Sequence, residues 1–360
     1  MTFPESSAAP SAQTLTSSAT SASSSADTLT RSTIRSATQR NDPKALAMGL
    51  GVYIVWGFFP LYFHMLSPAG AIEVIAHRAF WGLAWCLLAL GVIRRFDALK
   101  QAFADRQIFK RLALAGFLVV INWSTYVYAI QSGHTVDAAI GYFINPLVTV
   151  ALGLFVLREQ ISLLQKVALS LGALAVLILV VGQGRVPWLS LTLAFSFGFY
   201  SLVKKDVATK VNPLAGMVVE TGTVTPFLMV YYAYLVATKS TSFHALASAG
   251  ENAPISPWAH LPLLIGAGLL TVIPLIMFAM AARGVTLGTL GFIQYVSPGL
   301  QMAVGIIAFG ERVEPARWLA TGVVWLALLV LSADVIATSR RSRKQIRKVR
   351  EQITGMPDVD

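Results

Sequence analysis

Three ionisable side chains stand close together in an otherwise apolar stretch, Ala71-Ile-Glu73-Val-Ile-Ala-His77-Arg78. Glu73 and His77 are four residues apart, which places them on one helix face with Arg78 alongside. A second apolar stretch carries Glu220. A charged side chain in hydrocarbon costs ~2.5–3.5 kcal/mol on insertion scales, so each of these groups calls for a partner or a task. An acid and a base facing a shared cavity would bind charged or zwitterionic solutes, or pass a proton. The same groups would serve equally as a buried structural ion pair or as polar contacts between helices. His77 titrates near neutral pH when unperturbed, so it is either a proton-sensitive element or a hydrogen-bonded structural histidine.

Amides and aromatic rings recur nearby at helical spacing. Asn122 and Tyr126 share a face, with Trp123 beside them. Tyr142 and Asn145 adjoin Pro146. Gln294, Tyr295 and Gln301 lie around Pro298. Such groups suit the lining of a cavity for a small amphipathic solute, or hydrogen bonds that only hold helices together. Pro146 and Pro298 read as helix breaks that free the carbonyls of Tyr142 and Gln294. The chain has no His-Glu-x-x-His and no Gly-x4-Gly-Lys-Ser/Thr string, which argues against a zinc hydrolase and against direct ATP drive. The longest hydrophilic connection, about 238–260, holds only His244, His260 and Glu251 as candidate catalytic groups. No catalysis, cofactor or metal is expected. With Cys86 as the one cysteine, an intramolecular disulfide is excluded.

The elements that must position these groups are long. Of 360 residues, 55% are hydrophobic and 12% charged, about half the charge of a soluble domain. Ten apolar runs follow one another, at about 44–64, 71–93, 112–131, 137–157, 163–182, 187–203, 214–237, 261–282, 285–309 and 316–337. Each is near the ~20 residues that cross a ~30 Å hydrocarbon core as a helix. The net charge of +11 would suit nucleic acid on a folded polar face. Here the 28 Lys and Arg fall between the runs, and no nucleic-acid partner is expected. With the N-terminus in the cytoplasm, 23 of the 28 lie on the cytoplasmic side, four opposite, and Arg78 inside a span. That bias predicts an even number of spans with both ends inside. Residues 1–43 are a Ser/Thr/Ala-rich tail, with 26 such residues in the first 40; a disordered cytoplasmic segment is expected there, not a secretory signal. Residues 338–360 form a basic cytoplasmic tail.

The runs repeat. Gly141-Tyr-Phe-Ile-Asn-Pro146 is followed thirteen residues later by Glu159, and Gly291-Phe-Ile-Gln-Tyr-Val-Ser-Pro298 thirteen residues later by Glu311. The Pro and Glu pairs share an offset of 152 residues. This predicts two homologous units, 44–182 and 187–337. Five spans is an odd number, so the second unit must be inverted in the membrane, as in many secondary transporters. Glu159 and Glu311 read as end caps or a gate pair, Asp137 as the cap of its helix, Lys204 and Lys205 as a surface stop, and Gly284 with Gly288 as a packing face.

These strings resemble the RarD-like (chloramphenicol-sensitive protein) branch of the EamA-type drug/metabolite transporters. The residues that carry the likeness are Trp56-Gly-Phe-Phe-Pro60-Leu-Tyr62, Glu73-x-x-x-His77-Arg78, Asn122-Trp123, Gly141-Tyr-Phe-Ile-Asn-Pro-Leu147, Gly291-Phe-Ile-Gln-Tyr295, Pro298 and Glu311, across about residues 44–337. The resemblance implies an all-α carrier of ten transmembrane helices, in two inverted halves, in the bacterial inner membrane. It implies transport of a small metabolite or drug, mostly outward. Proton exchange through Glu73, His77 or Glu220 and plain uniport both remain open, as does a homodimer. A sensor or assembly subunit is the alternative to a transporter.

Overall fold

The computed structural model describes residues 42–156, 158, 161–205, 207, 210–285 and 293–354. Among them there are helices and turns and no strand. The helices are α1 (Pro43–Gly57), α2 (Phe59–Met65), α3 (Ala71–Val92), α4 (Phe96–Ala104), α5 (Arg106–Gln131), α6 (Thr135–Phe155), α7 (Leu163–Gln183), α8 (Trp188–Lys205), α9 (Pro213–Ala237), α10 (Ser242–Ala249), α11 (Pro257–Gly284), α12 (Val296–Ile307) and α13 (Pro315–Thr354). Residues 42–336 form one compact unit; of the second unit, helical backbone over 337–354 is described.

Local chemistry sets the helix starts. Asp42, Asn212 and Ser256 cap α1, α9 and α11, each followed by proline. The side-chain oxygen satisfies an orphan N–H, and the proline occupies a position that has no intrahelical donor to lose. Ser162 and Gln165 form a reciprocal capping box on α7.

Eight helical stretches among the described residues are long and apolar enough to cross a membrane. The two remaining runs appear as α8, whose 18 residues include several Ser, Thr and Lys, and as α12, of 12 residues. Residues 286–292, with Gly288, lie outside the described residues, as does Glu159. Large apolar side chains cover the outside: Ile307, Val92, Leu163 and Val230 are each more than 70% exposed. An exterior of this kind is matched to lipid rather than to water.

The first run is divided at Phe58, between α1 and α2. Pro60 has no N–H to give to the carbonyl four residues back, that of Trp56. The Trp56 carbonyl instead accepts the side-chain amide of Gln301 on α12, at 3.1 Å. Of the two prolines expected to break helices, Pro146 does not and Pro298 does. Pro146 lies inside a continuous α6, because neighbouring packing holds the turn that has lost one donor. Pro298 is the third residue of α12, which starts after a turn at Gln294 and Tyr295 that follows helical residue 293, so the run is broken there. The Gln294 carbonyl is not left free, since it accepts from Ser297 N at 3.3 Å.

Within the compact unit, α3 packs on α9 and α11, α5 on α8 and α9, α6 on α8 and α12, and α1 on α11 and α12. Several crossings need glycine, among them α5–α9 and α11–α3. A Cβ at Gly116 of α5 would run into the Glu220 backbone on α9, and one at Gly268 of α11 would sit 2.6 Å from the backbone of Trp81. A second apolar cluster joins α6 and α7 to the buried Ala320, Val324, Ala327 and Leu328 of α13.

Candidate functional site

Arg78 lies in the middle of α3 and is 6% exposed. Its Nε donates to Thr271 Oγ1 of α11 at 2.7 Å. That hydroxyl gives its own proton to the Ala267 carbonyl, at 2.9 Å, so it can only accept from the arginine. The guanidinium carbon stands 4.0 Å from the centre of the Trp123 ring, 5.3 Å from Phe63 and 6.0 Å from Phe59. Cation–π contact of this kind holds the guanidinium plane and offsets part of its desolvation. Among the described residues no carboxylate lies within 4 Å of it. Its two Nη atoms have no protein hydrogen bond among those residues.

The aromatic wall continues through Phe63 to Tyr126, centroids 6.0 Å apart, and from Tyr126 to Tyr142 at 5.5 Å. The Tyr126 hydroxyl is buried without a partner. The Tyr142 hydroxyl donates to Asn122 Oδ1 at 3.0 Å, and Asn122 Nδ2 donates to the Leu193 carbonyl and to Ser196 Oγ on α8. Asn122 is therefore satisfied within the bundle and works as a bracket between α5, α6 and α8. The structure thus brings together Arg78, Trp123, Tyr126, Tyr142 and Asn122, from α3, α5 and α6.

It does not bring Glu73 and His77 into that group. Both Glu73 oxygens accept from Ser242 N at 3.0 Å, and one also accepts from Ser242 Oγ at 2.9 Å. His260 Nε2 lies 3.0 Å from the same hydroxyl. The carboxylate thus sits at the N-terminus of α10, where a negative charge is favoured, and ties the 238–260 connection to α3. The His77 ring packs edge-on to Tyr232, with centroids 4.8 Å apart, and its Nε2 is buried without a partner.

Glu220 is also committed. It forms an ion pair with Lys204 of α8 and accepts from the Tyr200 hydroxyl at 3.2 Å. Lys204 therefore does more than stop a span: it reaches back to a buried acid on α9. Gln301 spans Trp56 and Ser297, its Oε1 unpartnered. Asn145 is half-buried with Oδ1 unpartnered. Gln294 and Tyr295 sit half-buried in the turn before α12.

The helix-end acids also differ from expectation. Glu311, not Asp137, caps α6, accepting from Thr135 N at 2.6 Å and Val136 N at 2.9 Å. Asp137 pairs with Arg317 of α13 at 3.2 Å. Sequence reasoning missed Thr271, Phe63, Tyr200 and Ser242 as partners. Only Tyr200 and Lys204 carried a readable signal, since they stand four apart on one face of α8.

The chain matches the EamA-like transporter family over residues 43–181. It is 38% identical to Protein RarD of Streptomyces exfoliatus, over 87% of this chain and 95% of that protein. It is 37% identical to the uncharacterized transporter PA0485 of Pseudomonas aeruginosa, over 84% and 97% respectively. Against Protein RarD of Escherichia coli the identity is 33%, over 84% and 98%. A crystal structure shares its fold at a TM-score of 0.50 and 15% identity, over 80% of this chain and 96% of that one.

Proposed function

Because the chain belongs to the RarD branch of the EamA-like transporter family, and is thus a multi-pass membrane protein of a bacterial transporter family, we propose that it exports a small metabolite or drug by alternating access. In this reading ten helices cross the inner membrane as two inverted halves, with both termini in the cytoplasm.

The observation that carries it is the packing pattern. Let each span of one half exchange with its counterpart: α1–α2 with α8, α3 with α9, α5 with α11, and α6 with α12. The contact α6–α8 then becomes α12–α1, α3–α11 becomes α9–α5, and α5–α8 becomes α11–α1, while α3–α9 and α6–α12 map onto themselves. Every one of these contacts is present. A two-fold relation of this kind gives two states of equal architecture, open to opposite sides, with the solute held where the halves meet.

Oxidative locking tests it. In a Cys86→Ala background, Thr135→Cys and Gly305→Cys join α6 to α12, since a Cβ at Gly305 would lie 3.1 Å from that of Thr135. Metabolite release from expressing cells, profiled by mass spectrometry, should stop on oxidation and return on reduction. Full release by the cross-linked protein would overturn alternating access.

One observation favours an uncoupled facilitator over proton exchange. Among the described residues, Glu73, Asp137, Glu220, Glu311 and Asp334 all hold a hydrogen-bond or ion-pair partner. In proteoliposomes, flux is then expected without proton movement, in the wild type and in Glu220→Gln alike.

A further inference from the structure

The shared acid–base cavity considered from the sequence is not what the spans offer a solute. Glu220 has both oxygens engaged, by Lys204 and by Tyr200. Glu73 is engaged by Ser242 and Asp137 by Arg317. A solute ammonium group therefore meets no uncommitted carboxylate among the described residues of the spans. A solute anion meets Arg78.

We propose that Arg78 is a carboxylate-binding point and that the solute is a small organic monoanion rather than a zwitterion. The proposal rests on the transport reading given above and names the substrate class for it.

Three features converge. First, the Nε edge of the guanidinium is fixed by Thr271, which leaves the Nη1/Nη2 edge for the solute. That edge presents two parallel N–H groups in the geometry a carboxylate accepts in bidentate fashion. Second, Trp123 lies against the guanidinium at 4.0 Å, so the fork is held in plane before a ligand arrives, and less freedom is lost on binding. Third, Tyr126 keeps a buried hydroxyl with no partner. It belongs to the same aromatic wall through Phe63 and supplies a further donor, with apolar ring surface around it for the body of the solute. The charge count sets the valence. Lys204 is paired, and no second uncommitted cation stands with Arg78 among the described residues, so the site offsets one negative charge and leaves a phosphate dianion half-compensated.

The test is thermal unfolding of the purified full chain in detergent with acetate, benzoate and phenylacetate. The comparison compounds are benzamide and phenylacetamide, phenylalanine, and inorganic phosphate. One or more carboxylates should raise the unfolding temperature in a saturable way, and the amides, phenylalanine and phosphate should not. Arg78→Gln should abolish the shift, and Arg78→Lys should weaken it by at least tenfold in apparent affinity. Tyr126→Phe, which keeps the ring and the packing, should weaken it several-fold and stands in if Arg78→Gln does not fold. Equal shifts with amides or phosphate, no shift with any carboxylate, or an unchanged shift in a folded Arg78→Gln would each overturn the proposal. Carboxylate binding without any flux in proteoliposomes would strike the transport reading and leave the binding point standing. Flux of neutral solutes indifferent to Arg78→Gln would do the reverse.

Discussion

Arg78 on α3 and Glu220 on α9 sit on two helices that pack against each other, and each is almost fully buried. Their surroundings differ. Glu220 meets a lysine and a tyrosine hydroxyl from α8, so its charge is neutralised within the protein. Arg78 meets a threonine hydroxyl and three aromatic rings, which hold it without neutralising it. Similar backbone packing thus serves two ends. One buried charge closes an interface between helices, and the other is left available. The sequence has both charges in plain view, but not the partners that separate their roles, which come from the adjacent α8 for Glu220 and in part from the distant α11 for Arg78.

Stability measurements can sharpen or break this contrast. The largest effect is expected for Lys204→Met. It strands the Glu220 carboxylate and should cost about 3 kcal/mol, the low end for a broken buried pair, because the Lys204 side chain keeps 27% exposure. Adding Glu220→Leu should restore most of that loss, as buried pairs are often replaceable by apolar groups. Chemical denaturation in mixed micelles reads both, and a double variant no better than the single one would contradict the pair. Glu311→Gln weakens the charged cap of α6 and should cost ~1 kcal/mol, read as a fall in unfolding temperature that is insensitive to the α3 and α9 variants. Gln301→Leu leaves the Trp56 carbonyl without its amide and should also cost about 1 kcal/mol. Arg78→Gln should change stability least, within ~0.5 kcal/mol of wild type or in its favour, because no ion pair is lost. A loss of several kcal/mol on Arg78→Gln would place Arg78 with Glu220 as a structural charge.

Much of the helix framework is legible in the sequence because apolar length and X-Pro capping are local properties. The expected runs at 71–93, 163–182 and 214–237 agree closely with α3, α7 and α9. The division at Phe58 was not foreseen. Pro60 signalled it, but the same signal at Pro146 came to nothing inside α6. Whether a proline divides a helix depends on what holds the freed carbonyl, and that is tertiary. At the site, residue types were readable and pairings were not. Asn122 and Tyr142 were placed in a lining, and they bond to each other. Glu73 and His77 share a face as the spacing requires, yet Glu73 turns to Ser242, more than 160 residues away in sequence.

The joint between α1 and α2 has a mechanical consequence. A span in two pieces is a lever with an elbow. The short arm α2 carries Phe59 and Phe63, two of the three rings against Arg78, and packs on α5 and α12, while the long arm α1 is docked on α11 and α12. Rotation at Phe58 would therefore re-aim the aromatic wall around the guanidinium without moving the long arm. The amide of Gln301, reaching the Trp56 carbonyl just below the elbow, ties that joint to α12, so a change of angle there is passed on to α6, which packs on the same helix.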